Sequence, residues 1–277
     1  MKRLLVIGFG DIAHRTAALL PKGVEVRAVS RKTGFDLDRP ETLGALGGWA
    51  DSVLHCAPPP AAGNTDPRTA ALLGALETGG ILPRRLVYIG TSGVYGDCGG
   101  ALVDESRAVN PQTPRAVRRI DAERQLAQWS ELHGAALVVL RAPGIYAADR
   151  LPEARLAQGI PILADKDDVY TNHIHADDLA VIALAAMNPE APAGFYNASD
   201  DTHLKMGEWF DLVADRLGLP KLMRVSRAEA AQRIPAPMLS FMSESRRLVN
   251  RKMKEALGVE LRYPSVREGV PIRRRAA

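Results

Sequence analysis

The chain has 277 residues, of which 46% are apolar and 25% charged, with a formal net charge of +4. That balance fits a globular protein of one large domain, alone or with a small appendage, and no apolar run reaches the roughly 18 residues of a membrane span. The two cysteines, Cys56 and Cys98, are too few for a disulfide framework, so a reducing cytoplasm is the expected compartment.

Met1-Lys2-Arg3-Leu4-Leu5-Val6-Ile7-Gly8 has the charge of a signal peptide, but its apolar stretch is short and ends in glycine. Residues 3–8 therefore read as a buried strand, followed by a helix through about Leu20. Residues 24–29 read as a second strand. Asp51 to Ala57 is another, stopped by Pro58, Pro59 and Pro60. A helix at about 64–78 leads to a strand at 85–89, a helix at about 114–133 and a strand at 136–140. This alternation predicts an α/β fold, a parallel sheet wound on both faces by helices. After Pro143 the elements shorten, with helices expected at about 203–217 and 243–257. We divide the chain into residues 1–150, a dinucleotide-binding unit, and 151–277, a smaller cap that returns to the sheet near 193–200. The positive charge is not gathered in a stripe. Arg273, Arg274 and Arg275 form only a short basic tail, so no nucleic-acid partner is expected.

Gly8-Phe9-Gly10-Asp11-Ile12-Ala13 fits G-x-G-x-x-[GA] between the first strand and its helix. Gly8 permits the tight turn, Gly10 lets a pyrophosphate approach the backbone, and Ala13 allows close helix packing. The helix opened by Asp11 and Ile12 offers its free N–H groups to the phosphates. Dinucleotide folds that bind NAD place a carboxylate about twenty residues later. Here the segment is Ser30-Arg31-Lys32, which suits the 2′-phosphate of NADP, with NAD as the alternative.

Further segments carry a resemblance. They are Val87 to Asp97 (with Thr91-Ser92-Gly93-Val94-Tyr95-Gly96), Pro114 to Glu123, Leu140 to Tyr146, His173 to Ala180 and Leu261 to Gly269. In this order they resemble the extended short-chain dehydrogenases, in their NAD-dependent epimerase/dehydratase branch. The resemblance implies a Rossmann-type sheet with a C-terminal substrate-binding cap. It implies adenine contacts from Asp36 and Leu37, and cofactor contacts from Ala57 and Pro58 at the end of a fourth strand. It places Thr91 on the substrate oxygen. The helices at 64–78 and 114–133 match the pair through which many members form a homodimer.

The chemistry departs from that pattern. Arg115 falls on the family's catalytic tyrosine and Arg119 on its lysine. A guanidinium has no acceptor lone pair and does not shuttle protons near neutrality. Arg119 can still donate to a nicotinamide ribose. Arg115 suits an anionic group better than a proton relay. Tyr95 and Tyr146 are candidate substitutes for the phenol, with core packing as the simpler reading. His173, His175, Asp177 and Asp178 do not match a compact zinc spacing, and either aspartate reads more simply as a helix cap, so no metal is expected. The segment between Ala147 and Asn172 is short for a sugar-nucleotide enzyme. Two readings stay open: an oxidoreductase or epimerase-like enzyme acting on a small molecule, anionic or a nucleotide sugar, and a dinucleotide-binding sensor without turnover.

Overall fold

The computed structural model describes residues 1–273; Arg274 and Arg275 of the basic tail lie outside them. Arg273 is held by Glu153 through two hydrogen bonds of 2.7 and 2.8 Å. No helix among the described residues is long and apolar enough to cross a membrane.

Six parallel strands form the central sheet: β1 (Arg3–Ile7), β2 (Glu25–Val29), β3 (Ser52–His55), β4 (Arg85–Ile89), β5 (Ala136–Arg141) and β6 (Gly194–Asn197). Their spatial order is β6-β5-β4-β3-β1-β2. The apolar runs of β1, β3 and β4 are buried on both faces, as parallel strands between helices must be. Successive side chains alternate between two cores. Leu4 and Val6 pack with Ile12, Leu179 and Ile182, from helices α1 (Asp11–Ala18) and Ala176–Ala186. Leu5 and Ile7 pack with Leu72, Leu126 and Trp129, from α2 (Pro67–Glu77) and α3 (Pro114–His133). The Rossmann-type expectation holds. From β1 the chain runs outward to β2, then crosses back to β3 on the other side of β1. That reversal opens a crevice beyond the carboxyl ends of β1 and β3, where open α/β sheets bind ligands.

Several boundaries differ from the sequence expectation. Between β2 and β3 there are only 3₁₀ turns, at Arg31–Thr33, Pro40–Thr42 and Gly44–Leu46. Pro40 and the glycines at 44, 47 and 48 break any strand period there, so Ala57 and Pro58 follow the third strand and not a fourth. The expected helix at 64–78 starts at Pro67, because the Asp66 carboxylate caps it by accepting from Arg68 N at 3.1 Å. The helix expected from 203 starts at Met206, since Leu204–Lys205 pairs antiparallel with Tyr170–Thr171. The helix expected at 243–257 is two elements. Arg247–Leu248 pairs with Leu102–Val103, and the helix is only Arg251–Leu257. Between them Asn250 Nδ2 donates to Ser199 O and Asp201 Oδ1, each at 2.8 Å, which ties the break to a neighbouring loop. The C-terminal elements surround their own core, including Tyr146, Leu156, Trp209, Phe210 and Val213.

One buried charge joins these layers. Arg141, at the end of β5, donates to both carboxylate oxygens of Glu123 on α3, at 3.3 and 2.8 Å. It also donates to Tyr95 Oη at 3.0 Å. Tyr95 Oη donates to Asn197 Oδ1 at 2.9 Å, and Asn197 Nδ2 donates to the carbonyls of Val103 and Val249. The guanidinium lies between the rings of Tyr95 and Phe195, 4.9 and 4.7 Å from their centroids.

A second buried carboxyl has no such partner. Asp200, just past β6, accepts from Thr202 N at 2.9 Å through Oδ1, while Oδ2 has no hydrogen-bond partner. Burial, with Asp201 and Asp178 nearby, pushes its pKa up from 3.8 to about 7. The folded state therefore holds a proton that the unfolded chain releases near pH 4. The stability tied to that proton is full below about pH 4 and is lost as pH rises through about 7. Asp200→Asn keeps the shape and stays neutral. We expect it to leave stability nearly unchanged at about pH 4 and to raise it by roughly 2–4 kcal/mol at about pH 8, measured by urea unfolding.

Candidate functional site

The site begins with backbone. Gly8 has φ +79°, and a Cβ there would lie 2.6 Å from Ala57 N, so the turn after β1 packs directly on the end of β3. Gly10 differs: a Cβ there would meet nothing within 4 Å. That space lies at the start of α1, where the first N–H groups of the helix have no partners within it. The turn fits a pyrophosphate: it has open room above a glycine and donors facing the room.

Two connected depressions flank this turn. The first, about 340 Å³, is lined by Gly8, Gly10, Arg31, Asp36, Leu37, Ala57 and Pro58 among others. The second, about 330 Å³, is lined by Gly8, Gly10, Asp11, Ile12, Thr91, Arg119 and further residues. The predicted cofactor residues thus come together along one crevice, except Lys32. It is exposed and lines neither depression, because the 3₁₀ turn at Arg31–Thr33 presents Arg31 to the crevice instead. Arg31 forms no ion pair among the described residues, while Asp38 is taken up by Arg68 in a forked pair of 2.7 and 2.6 Å. Arg68 and Phe35 also line the first depression, and the sequence reading missed both. Arg68 stands on α2, thirty positions from the aspartate it grips, and no local motif marks it.

Asp11 is the hub of an exposed ion cluster. It is bonded by Arg15 and by Arg150, each at 2.8 Å. Burial raises its pKa, but the two arginines outweigh burial and hold the carboxyl below its usual range. The bond fixes Arg150 on the second depression, which Gly8 and Gly10 also line; the sequence reading missed this residue too. Cys56 lies in the floor between the two depressions. Burial pushes its thiol up to about 12, so it stays neutral.

Thr91 caps the turn Ser92–Tyr95 by accepting from Gly93 N at 3.2 Å. Its own O–H is left to donate. It lines both the second depression and a third, a chamber of about 190 Å³. Arg119 donates to Tyr88 Oη at 2.9 Å and to Ile89 O at 3.1 Å. Arg115, on the first turn of α3, lines the third chamber with its guanidinium carbon 4.1 Å above the ring of Phe241. Partial desolvation lowers its pKa; Glu244 opposes this, and Arg119, Arg246 and Arg118 add to it. Across the chamber Arg246 Nη1 donates to Glu244 Oε2 at 2.9 Å and to Gly96 O at 2.6 Å. Glu244 and Arg246 sit in the segment read from sequence as helix, so neither was singled out.

Other candidates lie elsewhere. Tyr95 Oη is spent inside the network on Arg141 and Asn197, and Tyr146 is buried in the C-terminal core with its hydroxyl on Ser265 O at 3.3 Å. Neither ring reaches the crevice. His173 is fully enclosed, stacked 4.4 Å from Trp209, and burial lowers its pKa to about 3. Neither aspartate caps the helix at Ala176–Ala186. His175 does, through Nδ1 accepting from Asp177 N at 3.2 Å. Asp178 instead accepts from Arg262 N and Tyr263 N, each at 2.9 Å, and Asp177 pairs with Arg15. Among the described residues no three His, Cys, Asp or Glu side chains are grouped to hold a metal ion.

Comparison with known proteins agrees with this architecture. Among solved structures, a conserved protein of unknown function from Silicibacter pomeroyi is 30% identical, covering 97% of this chain and 96% of that one at a TM-score of 0.77. The human epimerase family protein SDR39U1, solved with NADPH, superposes at a TM-score of 0.75 with 19% identity, covering 96% of this chain and 97% of its own. A 3-diazoavenalumate denitrifying reductase from a Streptomyces species is 28% identical over 210 residues, 73% of this chain and 68% of that protein. The description NAD dependent epimerase/dehydratase family matches residues 12–198. The chain belongs to that family of NAD(P)-binding proteins.

Proposed function

We propose that the protein is an NADP-dependent reductase of a small molecule, and not an epimerase or dehydratase. The observation that carries this reading is the wall of the substrate chamber. Where a proton shuttle is needed, it presents Arg115. Epimerisation and dehydration by this family begin by oxidising an alcohol, and a base must take the hydroxyl proton. Arg115 has no lone pair for it. Reduction of a conjugated acceptor asks for less: the hydride adds, fixed donors stabilise the negative charge that develops, and water supplies the proton that completes the product. Thr91 supplies an O–H at the junction, and Arg115 supplies positive charge beyond it. The reductase activity in the name of the Streptomyces relative supports the same direction.

The chain's residues would hold the dinucleotide in order along the crevice. Phe35, Asp36, Leu37 and Arg68 would take the adenine end, and Arg31 the 2′-phosphate. The turn Gly8 to Gly10, the start of α1 and Arg150 would take the pyrophosphate. Arg119 would meet the nicotinamide ribose with the donors left over from Tyr88 and Ile89. The nicotinamide, when bound, supplies the hydride. The NADPH bound by the human relative fits the absence of a carboxylate at Ser30-Arg31-Lys32. The alternative, a sensor without turnover, predicts binding with no consumption.

Three outcomes follow. Gly10→Val places carbon where the protein has none, so the thermal midpoint should stay within a few degrees while NADPH binding, followed by nicotinamide fluorescence, is abolished; retained binding removes the turn from the pyrophosphate site. Arg31→Ala should weaken NADP by roughly 1–3 kcal/mol in calorimetry and leave NAD nearly unchanged. Against a panel of small carbonyl and conjugated acceptors, one NADPH should be consumed per product formed. Interconversion of a nucleotide sugar with no net NADPH consumption would instead make the protein an epimerase, and no turnover with NADPH still bound would favour the sensor.

A further inference from the structure

The third chamber holds about 190 Å³. Pockets for drug-sized ligands run from about 300 to 1,000 Å³, so this one is too small to enclose a nucleotide sugar. Its lining is mixed: Pro143, Tyr170, Met206 and Phe241 share it with Thr91, Ser92, Thr171, Asn172 and the charged groups. Those charges do not cancel. Arg246 Nη1 donates to Glu244 Oε2 at 2.9 Å, and both side chains are largely buried, with Arg246 Nε and Glu244 Oε1 left without hydrogen-bond partners. Arg115 has neither an ion pair nor a hydrogen bond among the described residues, and its only specific contact is the stack on Phe241. That contact leaves the N–H groups of the guanidinium unspent. Behind it stand Arg118, Arg119 and Arg246, all of the same sign, and Glu244 is the one opposing charge among its electrostatic neighbours.

The unpaired guanidinium edge of Arg115, an exposed residue beside Phe241 at the rim of the chamber, matches a carboxylate whose flat apolar body lies against Pro143 and Met206. A carboxylate accepts two parallel N–H bonds, and an apolar body can occupy the remaining wall without unpaired polar groups. We propose that this chamber is a carboxylate site: Arg115 grips the acid group of a small planar organic acid whose body extends past Met206 and Pro143 toward Thr91. The proposal rests on the reductase reading and names its substrate class. It assigns Arg115 to substrate binding and specificity, with Phe241 as the platform that orients it. The Glu244–Arg246 pair shapes the far wall.

The probes are cinnamate, its neutral methyl ester and inorganic phosphate, titrated calorimetrically into the full chain. Cinnamate should bind saturably, and the ester should bind at least about tenfold more weakly, the loss of one charge-assisted contact. Arg115→Met should lower cinnamate affinity by a similar factor and abolish the preference for acid over ester, and Arg115→Lys should fall between. Phe241→Ala should weaken cinnamate while keeping the preference, which guards against a misfolded Arg115 variant. Equal binding of acid and ester, undiminished binding by Arg115→Met, or no cinnamate binding at all would overturn the proposal. Phosphate binding tighter than cinnamate would overturn it in favour of a phosphorylated substrate. NADPH is titrated into the same samples: a protein that binds cinnamate but not NADPH keeps the carboxylate site and loses the reductase reading.

Discussion

The crevice depends on a single buried ion pair, Glu123 with Arg141. Both side chains are nearly inaccessible, at 3% and 5% exposure for the residues. An unpaired charge at that depth would cost several kcal/mol, so each residue requires the other. The pair fixes α3 against the end of β5, and α3 carries both Arg119 and Arg115. Through Tyr95 and Asn197 the same network reaches β6 and the backbone at Val103 and Val249. The cap elements are thereby registered to the sheet by directional bonds as well as by apolar contact. A shift of α3 would move both arginines relative to the turn at Gly8.

A second constraint is charge. The crevice collects guanidinium groups: Arg31 and Arg68 at one end, Arg150 and Arg119 in the middle, Arg115 and Arg246 at the far end. Several are held by carboxylates that serve the protein itself: Asp38 for Arg68, Asp11 for Arg150 and Glu244 for Arg246. Arg31 and Arg115 form no ion pair among the described residues. They stand at opposite ends of the crevice, one lining the first depression and the other the third chamber. A partner carboxylate within the protein would have neutralised either one; leaving both free keeps the ends of the crevice electropositive.

The loss of the family's phenol is not made good by a tyrosine nearby in sequence. Tyr95 and Tyr146 are spent on Asn197 and on Ser265 O. Tyr88 is bonded to Arg119 but faces the buried side of the sheet, and burial pushes its hydroxyl up to about 12. A neutral phenol at that depth holds Arg119 in place and does not exchange protons with a substrate. The charged side chains that line the chamber are Arg115, Arg246 and Glu244.

The sequence by itself determined the fold and the glycine turn after its first strand. Strand runs such as Leu4 to Ile7 need burial on two faces, and Gly8 and Gly10 are demanded by backbone geometry; both are local properties written in consecutive residues. The order of motifs from Thr91 to Gly269 gave the family, and the arginines at 115 and 119 announced altered chemistry. Only the tertiary structure decided what meets in the site. Arg68 and Asp38, Asp11 and Arg150, and Arg115 and Phe241 are pairs 30, 139 and 126 positions apart. Their spacing follows no helical or strand period, because each pair is brought together by strand ends and loops that the winding of the sheet stacks along one edge. The same holds for the misplaced helix at 243–257: its first residues have helical propensity, but Arg247 and Leu248 gain ladder bonds with Leu102 and Val103, and pairing across the fold outweighed the local preference.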